Sequence, residues 1–280
     1  VDIPGRTDNS RASCASCHGN APHGAEASDK LNAHVDKIAC VTCHVPSFAR
    51  GGRKTKMWWD WSTAGRKDQH GKPLVVKDPD GYPTYHFKKG SFRWEANVVP
   101  AYRWFNGEIA HATIGQKIDD SSVVPINKIG GRYEDPKSRI WPFKVMRGRQ
   151  PYDSVNKVFA TPHLFGKDSD AYWKNFDWGK AIKAGMAETR QEFSGEYGFV
   201  ETEYYWPITH MVAPKEEALG CDACHSRNGR LVGLEGFYMP GRDRFEWLDT
   251  VGWVVVLGTL GGVSLHGLGR AVAACKRRKS

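Results

Sequence analysis

The sequence predicts an irregular fold: mainly coil, with short helices and a few short strands organised around bound cofactors, and one C-terminal transmembrane helix. Three observations predict it. A Cys-x-x-Cys-His word occurs three times. The stretch between the second and third copies is rich in aromatics, Gly and Pro, and shows little sustained periodicity. Residues 251–268 contain no Asp, Glu, Lys or Arg.

The three words are Cys14-Ala-Ser-Cys17-His18, Cys40-Val-Thr-Cys43-His44 and Cys221-Asp-Ala-Cys224-His225. Cys-x-x-Cys-His is the attachment signature of c-type haem. Two thiols bond the two vinyl groups of one haem, and the adjacent His supplies the proximal iron ligand. A zinc reading is the alternative, since Cys14, Cys17, Cys40 and Cys43 have the separation of a Cys₄ site. Zinc gives no reason for a His after every second Cys, and it leaves the third pair alone. A thioredoxin-type pair would occur once, near a βαβ pattern. The chain therefore reads as a multihaem cytochrome c with three covalently attached haem c groups. His18, His44 and His225 are the proximal ligands.

A low-spin electron-transfer haem needs a second axial ligand, commonly His or Met. Of the other histidines, four are candidate distal ligands. His34 lies in a helical pattern that Ser28 or Asp29 can cap, with Leu31, His34, Val35 and Ile38 on one face. His210 follows Trp206-Pro-Ile-Thr209 and precedes the third motif. His163 follows Pro162, which holds an extended backbone. His23 follows Pro22, just after the first motif. His70, beside Gly71, and His86, in a strand-like run, read as surface residues; His111 is intermediate. Three haems need at most three distal His, so the surplus points to haems carried elsewhere.

Along the chain, residues 1–50 form a di-haem segment, with the two haems close enough for fast electron hopping. Residues 51–213 form an aromatic-rich, haem-free region packing on the haems. Asp78-Pro-Asp-Gly-Tyr82 is a turn. Short strands are expected over residues 90–94, 97–99 and 101–105, with Asn106-Gly107 as a hairpin turn. One helix is expected from Asp177 as N-cap through Phe193. The many Trp fill an irregular core. Residues 214–246 form the third haem segment, with a short helix that starts near Pro214 and carries Cys221 to His225.

Residues 247–269 are the transmembrane helix. Eighteen uncharged residues span about 27 Å, close to the hydrocarbon thickness. Trp247 and Trp253 suit one interface, and Arg270 with residues 276–279 suits the other. The positive-inside rule leaves residues 270–280 as a basic cytoplasmic tail and the haem-bearing part on the extracytoplasmic, periplasmic side of a bacterial membrane. Gly258, Gly262 and His266 share one helix face. Gly258 and Gly262 form a small-xxx-small pair that favours helix packing. The expected partner of this face is a membrane subunit containing quinone or haem b, with His266 at the contact. Cys275, beyond the span, reads as a thiol in a reducing compartment. The formal charge of +9 belongs largely to this tail: the last eleven residues hold five bases and no acid. Haem propionates offset the remainder, so the charge is no evidence for a nucleic-acid partner.

Several long words carry a family resemblance. They include Thr55-Lys-Met-Trp-Trp-Asp-Trp-Ser-Thr-Ala-Gly65, Trp141-Pro-Phe-Lys-Val-Met-Arg-Gly-Arg-Gln-Pro-Tyr-Asp153 and Thr161-Pro-His-Leu-Phe165. Tyr205-Trp-Pro-Ile-Thr-His-Met-Val-Ala-Pro-Lys215, Cys221-Asp-Ala-Cys-His-Ser-Arg-Asn-Gly-Arg230 and Phe237-Tyr-Met-Pro-Gly-Arg-Asp243 extend them. Together with Cys40-Val-Thr-Cys-His-Val-Pro46, they resemble the octahaem tetrathionate reductase family of c-type cytochromes over residues 10–243. The resemblance implies electron transfer to or from a reductase acting on tetrathionate, nitrite or hydroxylamine. Family members carry eight haems, so this chain resembles the C-terminal part with the last three. Its start at Val1 fits a truncated or a processed chain. The implied partner is an N-terminal haem portion or another redox cytochrome. In the family the substrate-binding haem has a Lys axial ligand in the N-terminal part. No counterpart stands here, so no catalytic residue is carried over. The alternative is that the chain is itself a reductase with one open iron.

Overall fold

A computed structural model describes residues 13–24 and 28–279. Residues 1–12 and 25–27 of the expected di-haem segment, the capping side chain of Ser28 and residue 280 of the basic tail lie outside the described residues. In chain order the helices are α1 (Ala15–His18), α2 (Ser28–His34), α3 (Cys40–His44), α4 (Tyr172–Asn175), α5 (Trp178–Glu188) and α6 (Glu246–Lys279). The strands are β1 (Thr55–Asp60), β2 (Val75–Lys77), β3 (Pro83–His86), β4 (Gly90–Glu95), β5 (Ala101–Phe105), β6 (Ile109–His111), β7 (Val124–Pro125), β8 (Asn127–Ile129), β9 (Arg139–Asp153), β10 (Val158–Phe159) and β11 (Tyr197–Pro207). They divide into two compact units. Of the described residues, one takes in those up to 220 with 233–236; the other takes in 221–232 and those from 237 onward.

The expectation of mainly coil with a few short strands is corrected in the first unit. Among the described residues, nine strands join in one mixed sheet. Its axis is β9, fifteen residues long. β11 runs antiparallel to β9 from Tyr197 opposite Asp153 to Pro207 opposite Phe143. β1 lies parallel to β9, β5 antiparallel to it, and β4 antiparallel to β1. The sequence hides β9 for a physical reason. Ile140 to Phe143 are all buried, so the strand lacks the alternation of a half-buried one. Pro142, Gly148 and Pro151, ordinarily strand-breaking, interrupt the rest.

Other local expectations resolve individually. The strands at β4 and β5 form, and so does the turn at Asp78, whose Oδ1 accepts from the N–H groups of Asp80 and Tyr82. Residues 97–99 make only an isolated bridge, Val98 to Phe48. Asn106-Gly107 is not a hairpin turn: β5 pairs with β9, whereas β6 pairs with β8. Asp177 does cap α5, its Oδ1 accepting from Lys180 N–H at 3.1 Å. The helix ends at Glu188 rather than Phe193. Thr189 bonds back to the Gly185 carbonyl, and Arg190 turns left-handed with φ +56. The helix expected from Pro214 is two separate 3₁₀ turns, Lys215–Glu217 and Cys221–Ala223. α2 stops at His34, so Val35 and Ile38 do not extend its face.

Two apolar clusters hold the first unit. Trp141, Phe143, Phe105 and Ile208 pack with Val41, Val45 and Phe48. Tyr172 and Trp178 stack at 3.9 Å over Ile182 and Met186. Trp141, Trp178 and Trp104 are buried core residues, in keeping with a space-filling role. In the second unit α6 carries 34 residues and is long and apolar enough to cross a membrane. Its most apolar window has a mean hydropathy of 1.6, with none of it buried.

Candidate functional site

The three attachment motifs are built differently. α3 holds both of its cysteines one turn apart, α1 holds Cys17 with Cys14 as the residue before it, and in each the His closes the helix. α3 is bolted to the sheet through the residues between its cysteines. Val41 and Thr42 are each 1% exposed, and Thr42 Oγ1 donates to the Ile140 carbonyl at 2.6 Å. Around it, Leu219 N–H donates to the Cys43 carbonyl and Ala213 N–H to the His44 carbonyl. α1 buries no residue. The third motif forms a 3₁₀ turn with Cys221 exposed and Cys224 half-buried. Burial pushes the Cys224 thiol above its ordinary value. No disulfide joins the seven cysteines. Among the described residues, no three or more His, Cys, Asp and Glu come together as a zinc site would require.

These residues fit a covalently attached haem. The geometry of His225 makes the case. Its Nδ1 lies 3.0 Å from the Pro240 carbonyl. A carbonyl only accepts, so Nδ1 carries the proton and the lone pair is on Nε2, the nitrogen that faces a metal in such an arrangement. The acceptor is held by its own network. Arg242, nearly buried, donates to the Leu231 and Phe237 carbonyls and makes two bonds to Asp243. Asp243 in turn accepts from Met239 N–H at 2.6 Å. Arg242 holds the Asp243 carboxyl below the usual range. Gly241 lets this loop close on the motif: a Cβ there would lie 2.3 Å from the His225 carbonyl oxygen.

The same test sorts the distal candidates. His34 Nδ1 donates to the Lys30 carbonyl at 2.6 Å, placing its lone pair on Nε2. His23 Nδ1 meets Asn32 Oδ1 at 3.2 Å. Burial holds the His44 imidazole below its ordinary value, with smaller contributions from the charges of His23 and His18. His210 is exposed, on the segment whose Ala213 bonds the His44 carbonyl. His163 stands apart: Asp168 holds its Nε2 at 3.0 Å and Glu188 approaches its Nδ1 at 3.5 Å. The Asp168 hydrogen bond first, then both nearby charges, raise its pKa. Ligation by His163 requires one carboxylate to let go. The intermediate His111 bonds Tyr204 Oη through Nε2 at 2.8 Å, and His86, read as a surface residue, accepts from Lys88 N–H at Nδ1.

Sequence reasoning passed over Asn32, Thr42, Pro240 and Arg242. Only the Met239-Pro-Gly-Arg-Asp243 word carried a signal, as a Pro-Gly turn followed by an ion pair.

Comparison with known proteins agrees with this chemistry. The octaheme cytochrome c of Shewanella oneidensis, known from a crystal structure, is similar at 41% identity and a TM-score of 0.72. The match covers 84% of this chain and 53% of that one, so the chain spans about half the length of its structural relative. No curated protein matches. A family model for bacterial cytochrome c matches residues 56–228, which take in the third attachment motif and all of the sheet but Thr55. With more than half of its length matched, the chain belongs to the bacterial cytochrome c family.

Proposed function

We propose that this chain is a membrane-anchored, extracytoplasmic electron-transfer module with three haem c groups, working as part of an octahaem reductase of the tetrathionate, nitrite or hydroxylamine type. The observation that carries it is the likeness to an octahaem cytochrome over half of that protein's length, combined with three attachment motifs here. Haem, when bound, supplies one-electron exchange between ferric and ferrous iron. The protein's part is to hold each iron's two ligands and exclude substrate. At the third motif the Pro240 carbonyl orients the proximal His225; in the di-haem segment His18 and His44 are the proximal ligands, and His23 and His34, each with a partner on Nδ1, are the distal ones. The remaining haems of the assembly come from an N-terminal haem portion or a partner cytochrome. A quinone- or haem b-containing membrane subunit packs on the Gly258–Gly262–His266 face.

Intact mass and haem staining of the chain, matured where haem is attached, are expected to give three covalent haems, all low-spin when ferric. No covalent haem sinks the reading. A high-spin signal that shifts with nitrite or cyanide means that the chain is itself the reductase.

Support for the anchor comes from the length and apolarity of α6 and from its five flanking bases. A chain stopped before Glu246 is expected to leave the membrane fraction with its haems intact. Persistent membrane association would remove the anchor from the proposal.

A further inference from the structure

Asn32 makes three hydrogen bonds to one residue, His23. His23 N–H donates to Oδ1 at 3.1 Å, Nδ2 donates to the His23 carbonyl at 3.0 Å, and Oδ1 faces His23 Nδ1 at 3.2 Å. The first two bonds involve backbone groups of fixed polarity. They settle which end of the carboxamide is oxygen and which is nitrogen. With Oδ1 facing the ring, Nδ1 must carry the proton. The neutral imidazole then has its lone pair on Nε2. A surface histidine has no need of such a clamp, which orders both ring and backbone. A metal ligand does: the partner on its second nitrogen sets tautomer and ring orientation.

We propose that Asn32 is a positioning residue that holds His23 as an axial ligand to a haem iron of the di-haem segment. The proposal rests on the haem reading above. The place of Asn32 in α2 adds a second consequence. His34 ends the same helix, and its Nδ1 is bonded to the Lys30 carbonyl. Residues two apart on a helix point about 200° apart. Asn32 and His34 therefore face opposite ways, and His23 and His34 serve different irons. One seven-residue helix orients two ligands.

The test uses the full-length, haem-loaded chain in detergent and reads spin state and carbon monoxide binding to the ferrous form. In His23→Ala one haem is expected to become high-spin and to bind carbon monoxide; added imidazole restores its low-spin state. In His34→Ala a different haem responds. Asn32→Leu is expected to weaken the His23–iron bond by about 10–100-fold. The gain is read as a matching rise in carbon monoxide affinity at the haem that His23→Ala exposes. Asn32→Asp keeps the acceptor and loses the donor. It is expected to stay low-spin with a lowered potential at that haem alone, and it carries the test if Asn32→Leu does not fold. Three haems with unchanged spin state, potential and carbon monoxide affinity in both Asn32 variants overturn the proposal. So does a response at a haem other than the one His23→Ala exposes. A parent chain without covalent haem overturns the underlying reading and this proposal with it.

Discussion

Asp153→Ala is expected to cost about 2–3 kcal/mol of stability, since it removes one buried acceptor from five hydrogen bonds at once. Asp153 ends β9 and is 0% exposed. Its carboxylate accepts from the N–H groups of Val155 and Asn156 and from Asn156 Nδ2. It also accepts from Ser194 N–H and Ser194 Oγ. The first set closes the turn into β10, and the second holds the chain entering β11. One side chain thus joins three strands of the sheet. Thermal or denaturant unfolding measures the loss. A change below about 1 kcal/mol would show that water replaces these bonds without cost.

The pH dependence of this site has a definite sign. Burial pushes the Asp153 carboxyl up, but the hydrogen bonds from Ser194, Asn156 and Val155 outweigh it and leave the group below its ordinary value. A carboxylate depressed in the folded state stabilises it fully above the unfolded value, near pH 4. That contribution fades as pH falls through the folded value. Asp153→Asn, which cannot ionise, is expected to remove this acid-dependent part, flattening the stability curve below about pH 4. An unchanged slope would assign acid sensitivity to other carboxylates.

The second large effect is expected at Gly241. Its φ of +86 already disfavours any side chain, by about 1–2 kcal/mol. An added Cβ would also sit 2.3 Å from the His225 carbonyl oxygen and 2.7 Å from its carbon. Both contacts are to backbone, which cannot swing aside as a side chain would. Gly241→Ala must therefore move the loop, and Pro240 leaves His225 Nδ1. Losing that partner is expected to weaken iron ligation at the third motif by about 10–100-fold. The measurement is a high-spin or carbon monoxide-binding fraction at one haem, with the others unchanged. Gly233→Ala is the control, since nothing lies within 4 Å of a Cβ there. Equal behaviour of the two variants would mean that the Pro240 carbonyl does not govern the third motif.

The features legible in the sequence share one property: their chemistry is contiguous. Two thioethers and a proximal ligand must come from five consecutive residues, so Cys14–His18, Cys40–His44 and Cys221–His225 announce themselves. The Asp177 cap and the Asp78 turn are also local bonds, spanning three and four residues. The strand β9 was hidden because its neighbours make it. Burial on both faces over Ile140 to Phe143 removes the period of two, and its prolines, which argue against a central strand, stand opposite Tyr102 and Phe199 in the sheet. Asn106-Gly107 misled for the converse reason. The dipeptide favours a tight turn, but the strands on either side of it find partners elsewhere.

The sequence by itself determined the kind of cofactor chemistry and the apolar C-terminal helix, because thiol spacing and an uncharged run of eighteen residues need no folding to be read. Only the tertiary structure decided which nitrogen of each histidine is presented and what holds it there. Imidazole orientation is set by a hydrogen-bond partner, and the partners come from elsewhere in the chain: Asn32 for His23 and Pro240 for His225, nine and fifteen residues away. His163 has carboxylates at both ring nitrogens, from Asp168 and Glu188, partners that its setting in the sequence did not announce.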